Sequence, residues 1–195
     1  METCSSICSL KGAHMPRRVL SILTISFLLA LPIFLSALPS SLLIAADNKD
    51  VILKAADISS KIFPETVFFR GQSAPVQMRN TGGIHFADDL YMLAGMVDNS
   101  GYSSSIRQKY QAYMLTEVPL QLGGQSVKPG AYGFGFLENN KFVLLDLGAN
   151  ELFQISSVRD ADIKRPTPFQ IMATSEPGKY RLYMGREFIE FSRAK

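Results

Sequence analysis

Pro129-Gly130-Ala131-Tyr132-Gly133-Phe134-Gly135-Phe136-Leu137-Glu138-Asn139-Asn140-Lys141-Phe142-Val143-Leu144-Leu145-Asp146-Leu147 is the stretch whose reading decides the fold. Two short apolar runs flank Glu138-Asn139-Asn140, and asparagine tolerates the left-handed backbone that a tight strand-to-strand loop requires. The stretch therefore reads as a β-hairpin. Successive side chains of a strand point to opposite faces, so Tyr132, Phe134 and Phe136 share one side while Gly133 and Gly135 leave the other as bare backbone.

The same punctuation extends in both directions. From Thr66 onward, short apolar runs are bounded by Gly, Pro, Asn and Asp, the signature of antiparallel strands. Strands are predicted over 66–70, 76–79, 90–97, 110–122 with a break near Pro119, 131–137, 141–147, 152–156, 169–173, 179–184 and 187–191. Gly185-Arg186 joins the last two as a two-residue hairpin with glycine first. Residues 103–117 also fit a helix with Ile106, Tyr110, Tyr113 and Met114 on one side. The alternation continuing through Val118, Leu120 and Leu122 to Gly123-Gly124 favours a strand. Ahead of this region, Val51, Ala55, Ile58 and Ile62 are spaced as one face of a short amphipathic helix over Asp50 to Phe63, stopped by Pro64. The expected fold is all-β, an antiparallel β-sandwich or small barrel with that N-terminal helix packed on it.

The N-terminus reads differently. Val19 to Ala46 is 28 residues without a charge, directly after Arg17-Arg18. A basic flank followed by an apolar stretch is an export signal, and Ile44-Ala45-Ala46 offers small residues for cleavage. Its length also suffices for an uncleaved anchor, since a bilayer takes roughly 20 residues. Either way the arginines stay in the cytoplasm and the domain faces outward. Residues 1–46 are thus expected to be a signal peptide or anchor, and residues 47–195 a single exported domain, periplasmic or extracellular. Membrane contact is expected only through residues 19–46. Cys4 and Cys8 both precede the apolar segment, which leaves the exported part without thiols or disulfides.

Composition narrows the function. Past residue 46 there are 17 basic and 16 acidic residues, scattered along the chain. That balance lacks the electrostatic footprint of nucleic-acid binding. The exported part has one histidine, His85, no cysteine and no Gly-Xaa-Ser-Xaa-Gly elbow. Cysteine-ligated zinc, Cys-His pairs and multi-histidine metal centres are therefore out of reach within one chain, and no cofactor is expected.

Three constellations remain as candidates. His85-Phe86-Ala87-Asp88-Asp89 brings an imidazole and two carboxylates into a few residues, as a metal site or as a polar turn. Asp146 shares a side of its strand with Phe142 and Leu144. If that side is the core, burial raises its pKa and makes it a candidate acid; if Val143, Leu145 and Leu147 form the buried side, it meets water. Paired carboxylates, Asp146 with Asp88 or Asp89, would suit a polysaccharide hydrolase. Tyr132, Phe134 and Phe136 form either an aromatic ligand platform or a core strand whose glycines admit a neighbouring element.

Gly123 to Phe136 (GGQSVKPGAYGFGF), the strand KFVLLDL and Pro177 to Phe191 (PGKYRLYMGREFIEF) together resemble uncharacterised secreted bacterial proteins with a Pro-Ala-Gly-Thr-Tyr-like strand start and a C-terminal hairpin. The resemblance covers about a third of the chain. It implies a small β-sandwich without an assigned activity, and it carries no site residues. The expected function is a non-enzymatic envelope module binding a small ligand or a protein partner.

Overall fold

Hairpin after hairpin follows from the turn residues, and the strand lengths follow from the apolar runs between them. The structure, a computed structural model, describes residues 49–194. The apolar segment at 19–46 and its cleavage point lie outside the described residues. The strands are β1 (Val51–Lys54), β2 (Thr66–Phe69), β3 (Gln72–His85), β4 (Tyr91–Val97), β5 (Ala112–Thr116), β6 (Leu120–Leu122), β7 (Gln125–Val127), β8 (Gly130–Leu137), β9 (Lys141–Leu145), β10 (Glu151–Ser156), β11 (Val158–Arg159), β12 (Phe169–Ala173), β13 (Lys179–Met184) and β14 (Glu187–Arg193). One short helix, α1 (Ser104–Lys109), lies between β4 and β5. Among the described residues no helix is long and apolar enough to cross a membrane.

Among the described residues the strands form two antiparallel sheets and no closed barrel. The larger runs β1-β3-β4-β5-β8-β9-β10, with β2 also paired to β3. The smaller runs β12-β13-β14-β6-β7, with β11 also paired to β14. Between the sheets lies a core in which Met92, Met114, Phe134, Phe142 and Leu144 of the larger sheet meet Leu120, Leu182 and Phe191 of the smaller. The expected core reading of Phe134 is the one observed: it is fully buried, 5.6 Å from the Phe142 ring and 6.4 Å from Phe169.

The opposite face of the larger sheet is buried as well. Leu93, Tyr113, Val143 and Leu145 pack there against Phe63, Val67, Phe69, Tyr102 and Tyr110. Two-sided burial explains why β9 reads as a continuous apolar run rather than an alternating one. It also explains the glycines of β8. A Cβ at Gly133 would lie 2.5 Å from the Phe69 ring and 2.8 Å from Tyr110, two rings stacked at 3.8 Å. A Cβ at Gly135 would collide with the Lys109 carbonyl at the end of α1.

Several elements depart from the sequence reading. Residues 50–63, expected as an amphipathic helix, form β1 and a series of turns. The long-range partner wins over local spacing: β1 pairs with β3 from Val51 opposite His85 to Lys54 opposite Gly82. Asp50 fixes its start, accepting hydrogen bonds from the Ala87 N–H (3.0 Å) and the Tyr180 hydroxyl (2.7 Å). Residues 103–117 divide between the two alternatives, with α1 first and β5 from Ala112. The break sets the Tyr110 ring into the second core. The strand predicted over 76–79 is the longer β3, which runs on to His85, and Gly123-Gly124 with positive φ values of 50° and 87° turns β6 into β7.

Gly133→Ala should destabilise the domain by about 2–4 kcal/mol, since the added methyl has no room on the buried face. Gly101→Ala, with no atom within 4 Å of its Cβ position, should shift stability by less than about 0.5 kcal/mol. Urea denaturation of the two variants measures the contrast.

Candidate functional site

Where β1 stops, a cleft opens. β1 ends at Lys54 opposite Gly82, whereas β3 extends back to Gln72. Its register against β4 slips between Val76 and Thr81, so the residues between bulge away from the ladder. Side chains pin the bulge: Asn80 Nδ2 donates to Gln77 Oε1 (2.8 Å) and the Thr81 hydroxyl to the Met78 carbonyl (2.8 Å). Residues 79–81 consequently have no β1 neighbour. Facing them across the end of the sandwich is β12, the edge strand of the smaller sheet.

The space between these edges is about 550 Å³, bordered by Leu53, Lys54, Arg79, Phe169, Ile171 and Met172. That volume falls within the range usual for ligand sites, roughly 300–1,000 Å³. Gly82 brings the walls close: a Cβ there would be 3.3 Å from Phe169 and 3.6 Å from Ile171. The floor is apolar, and Met172 at its mouth is 43% exposed. Lys54 and Arg79 are both exposed, and neither cationic group has an ion-pair or hydrogen-bond partner among the described residues. Asp57, just beyond β1, accepts a hydrogen bond from the Lys54 backbone N–H instead (2.9 Å). A second hollow of about 350 Å³ lies over Gln111 and Phe136. There the Gln111 side chain already bonds the Gln108 and Phe136 carbonyls and the Phe136 N–H, which leaves it little capacity for a ligand.

The residues singled out in the sequence lie elsewhere. Tyr132, Phe134 and Phe136 face the core between the sheets. Phe134 is wholly inaccessible, the Phe136 ring packs edge-on against Phe142 at 5.3 Å, and the Tyr132 hydroxyl bonds the Lys128 carbonyl. They are structural rings, and no ligand reaches Phe134 without opening the sandwich. At the β3–β4 turn the three metal candidates part company. His85 bonds Asp89 (Nε2 to Oδ1, 2.6 Å) and stacks on Tyr91 at 4.4 Å. Asp88 turns to Arg193, which donates to both its oxygens (2.8 and 2.7 Å) and holds its carboxyl below the ordinary range. Among the described residues no group of three or more His, Cys, Asp or Glu could hold a metal ion.

Asp146 is not the buried acid of the first alternative. It begins the turn after β9, where the Asn150 side chain and backbone N–H donate to it and lower its pKa. A general acid needs a proton near neutral pH, which neither Asp146 nor Asp88 retains. In sheet order β8, β5 and β4 separate β9 from β3. Four steps of ~4.8 Å put the two carboxylates about 19 Å apart across the sheet, well beyond a working pair.

Lys54, Arg79, Phe169, Ile171 and Met172 were not marked by any motif. The one sequence signal they offered is Met172 at a position where alternation places an apolar residue outside. No protein family, curated protein or solved structure matches this chain.

The Asp146 turn gives a pH signature. Its carboxyl titrates below the ordinary 3.8 when folded, so its contribution is present above that value and is lost as the pH falls through the lower folded value. Asp146→Ala should cost about 1 kcal/mol or less at neutral pH. The difference from the parent in thermal melts should close below pH 3.8.

Proposed function

We propose that this chain is an exported, non-catalytic binding module that holds a partner at the cell envelope in the cleft between β12 and the β1–β3 edge. The observation that carries this reading is the pair of cations, Lys54 and Arg79, that lack a partner among the described residues and stand over the apolar floor of Phe169 and Ile171. Apolar contact supplies affinity in such a site, and a few placed polar groups supply orientation. The candidate acids Asp88, Asp89 and Asp146 and the histidine His85 are engaged in structural pairs, which favours recognition over catalysis. Support for export comes from the basic flank and the uncharged segment at 19–46.

Two measurements test these claims. Alkaline phosphatase fused after residue 48 should be active in bacteria and should lose activity when the apolar segment is deleted; activity without the segment would overturn export. 1-Anilinonaphthalene-8-sulfonate, an apolar anion, should fluoresce on binding the folded chain. Met172→Glu, which places a negative charge at the cleft mouth, should weaken that binding about fivefold, or ~1 kcal/mol. Unchanged binding would overturn the cleft as the site.

A further inference from the structure

The backbone of β12 indicates what chemistry the cleft takes. Gly185 N–H donates to the Pro168 carbonyl (3.2 Å) and Thr174 N–H to the Lys179 carbonyl (3.1 Å). With Phe169 opposite Met184 and Ala173 opposite Tyr180, these bonds fix the alternation of the antiparallel ladder. Residues 168, 170, 172 and 174 bond inward to β13. Phe169, Ile171 and Ala173 direct their N–H and C=O groups to the open side, where β12 has no strand neighbour. Thr167 makes one contact there, its hydroxyl donating to the Phe169 carbonyl (3.2 Å). The other wall of the cleft is the length of β3 that β1 leaves uncovered.

Unpaired strand edges recruit other strands unless they are short, covered or charged. Which strand is recruited depends on charge. Lys54 and Arg79 stand beside this edge, and the loop leading into β12 adds the exposed Lys164 and Arg165. A second copy of this chain would bring the same cations against one another. A strand carrying carboxylates on one face would neutralise them.

We propose that the cleft captures an extended acidic peptide segment, which adds to β12 as an antiparallel or parallel edge strand. Backbone hydrogen bonds to Phe169, Ile171 and Ala173 give affinity, as in other cases of strand addition. Apolar side chains on the peptide face that continues Gln170 and Met172 meet Met172, and carboxylates on the other face, turned toward β1 and β3, meet Lys54 and Arg79. This inference rests on the cleft being the binding site.

The test uses the full chain and fluorescently labelled peptides of about eight residues, an ordinary strand length. One alternates Glu with Val and Thr, a second replaces every Glu by Lys, and a third is the Glu peptide N-methylated at alternate residues. The Glu peptide should bind, and binding should weaken at least about tenfold for the Lys peptide, for the N-methylated peptide and for the Lys54→Glu/Arg79→Glu chain. Raising salt from about 0.05 to 0.5 M should weaken it further. Both substituted residues are exposed, and unchanged far-ultraviolet circular dichroism of the variant confirms folding. Equal binding of Glu and Lys peptides, or indifference to N-methylation, overturns the proposal. Absence of peptide binding while anilinonaphthalene sulfonate still responds to Met172→Glu overturns the peptide and leaves the cleft reading standing. Loss of both responses overturns both.

Discussion

The stack of Phe69 on Tyr110, seated where Gly133 has no side chain, is the contact on which the rest of the structure depends. It closes the second face of the larger sheet, and with both faces dry every residue of β9 from Phe142 to Leu145 can be apolar. Without it, Val143, Leu145, Leu93 and Tyr113 would face water. Tyr102 joins the pair edge-on and donates its hydroxyl to the Phe69 and Gln72 carbonyls, which ties the β2–β3 hairpin to the segment before α1. A chain without disulfides in this region thus relies on packed rings for its cohesion.

Much of this architecture was legible because alternation and turn chemistry are local. The hairpins at Glu138-Asn139-Asn140 and Gly185-Arg186 follow from residues that tolerate positive φ, and Asn139, Asn140 and Gly185 all adopt it. The glycines of β8 correctly implied a close neighbour. What escaped was settled by distant partners. Nothing between Asp50 and Phe63 reveals that Val51 will pair with His85 or that Asp50 will meet Tyr180, and the helical spacing there marks no common face: of Val51, Ala55, Ile58 and Ile62 only Ile58 is buried, and Val51 and Ile62 are exposed.

The candidate site was less legible, for a related reason. Motif reading favours chemically loaded clusters, and here the loaded residues serve the turns. His85, Asp88 and Asp89 fasten the β3–β4 tip, and Asp146 caps a loop. The cleft instead joins Lys54 and Arg79 to Phe169 and Met172, residues roughly a hundred positions apart whose meeting requires both sheets to be formed. Its polar character lies largely in unpaired backbone, which no side-chain pattern encodes.

β14 has one further consequence. It is the last of the described strands, yet it lies between β13 and β6 in the smaller sheet, and its Arg193 reaches back 105 residues to Asp88 at the β3–β4 turn. The β14–β6 pairing sets Phe191 opposite Leu122, so the smaller sheet closes only through a contact distant in sequence, the kind whose loop entropy must be met before the contact forms. Until that pairing forms, the Met114 and Phe134 side of the larger sheet has only part of its cover.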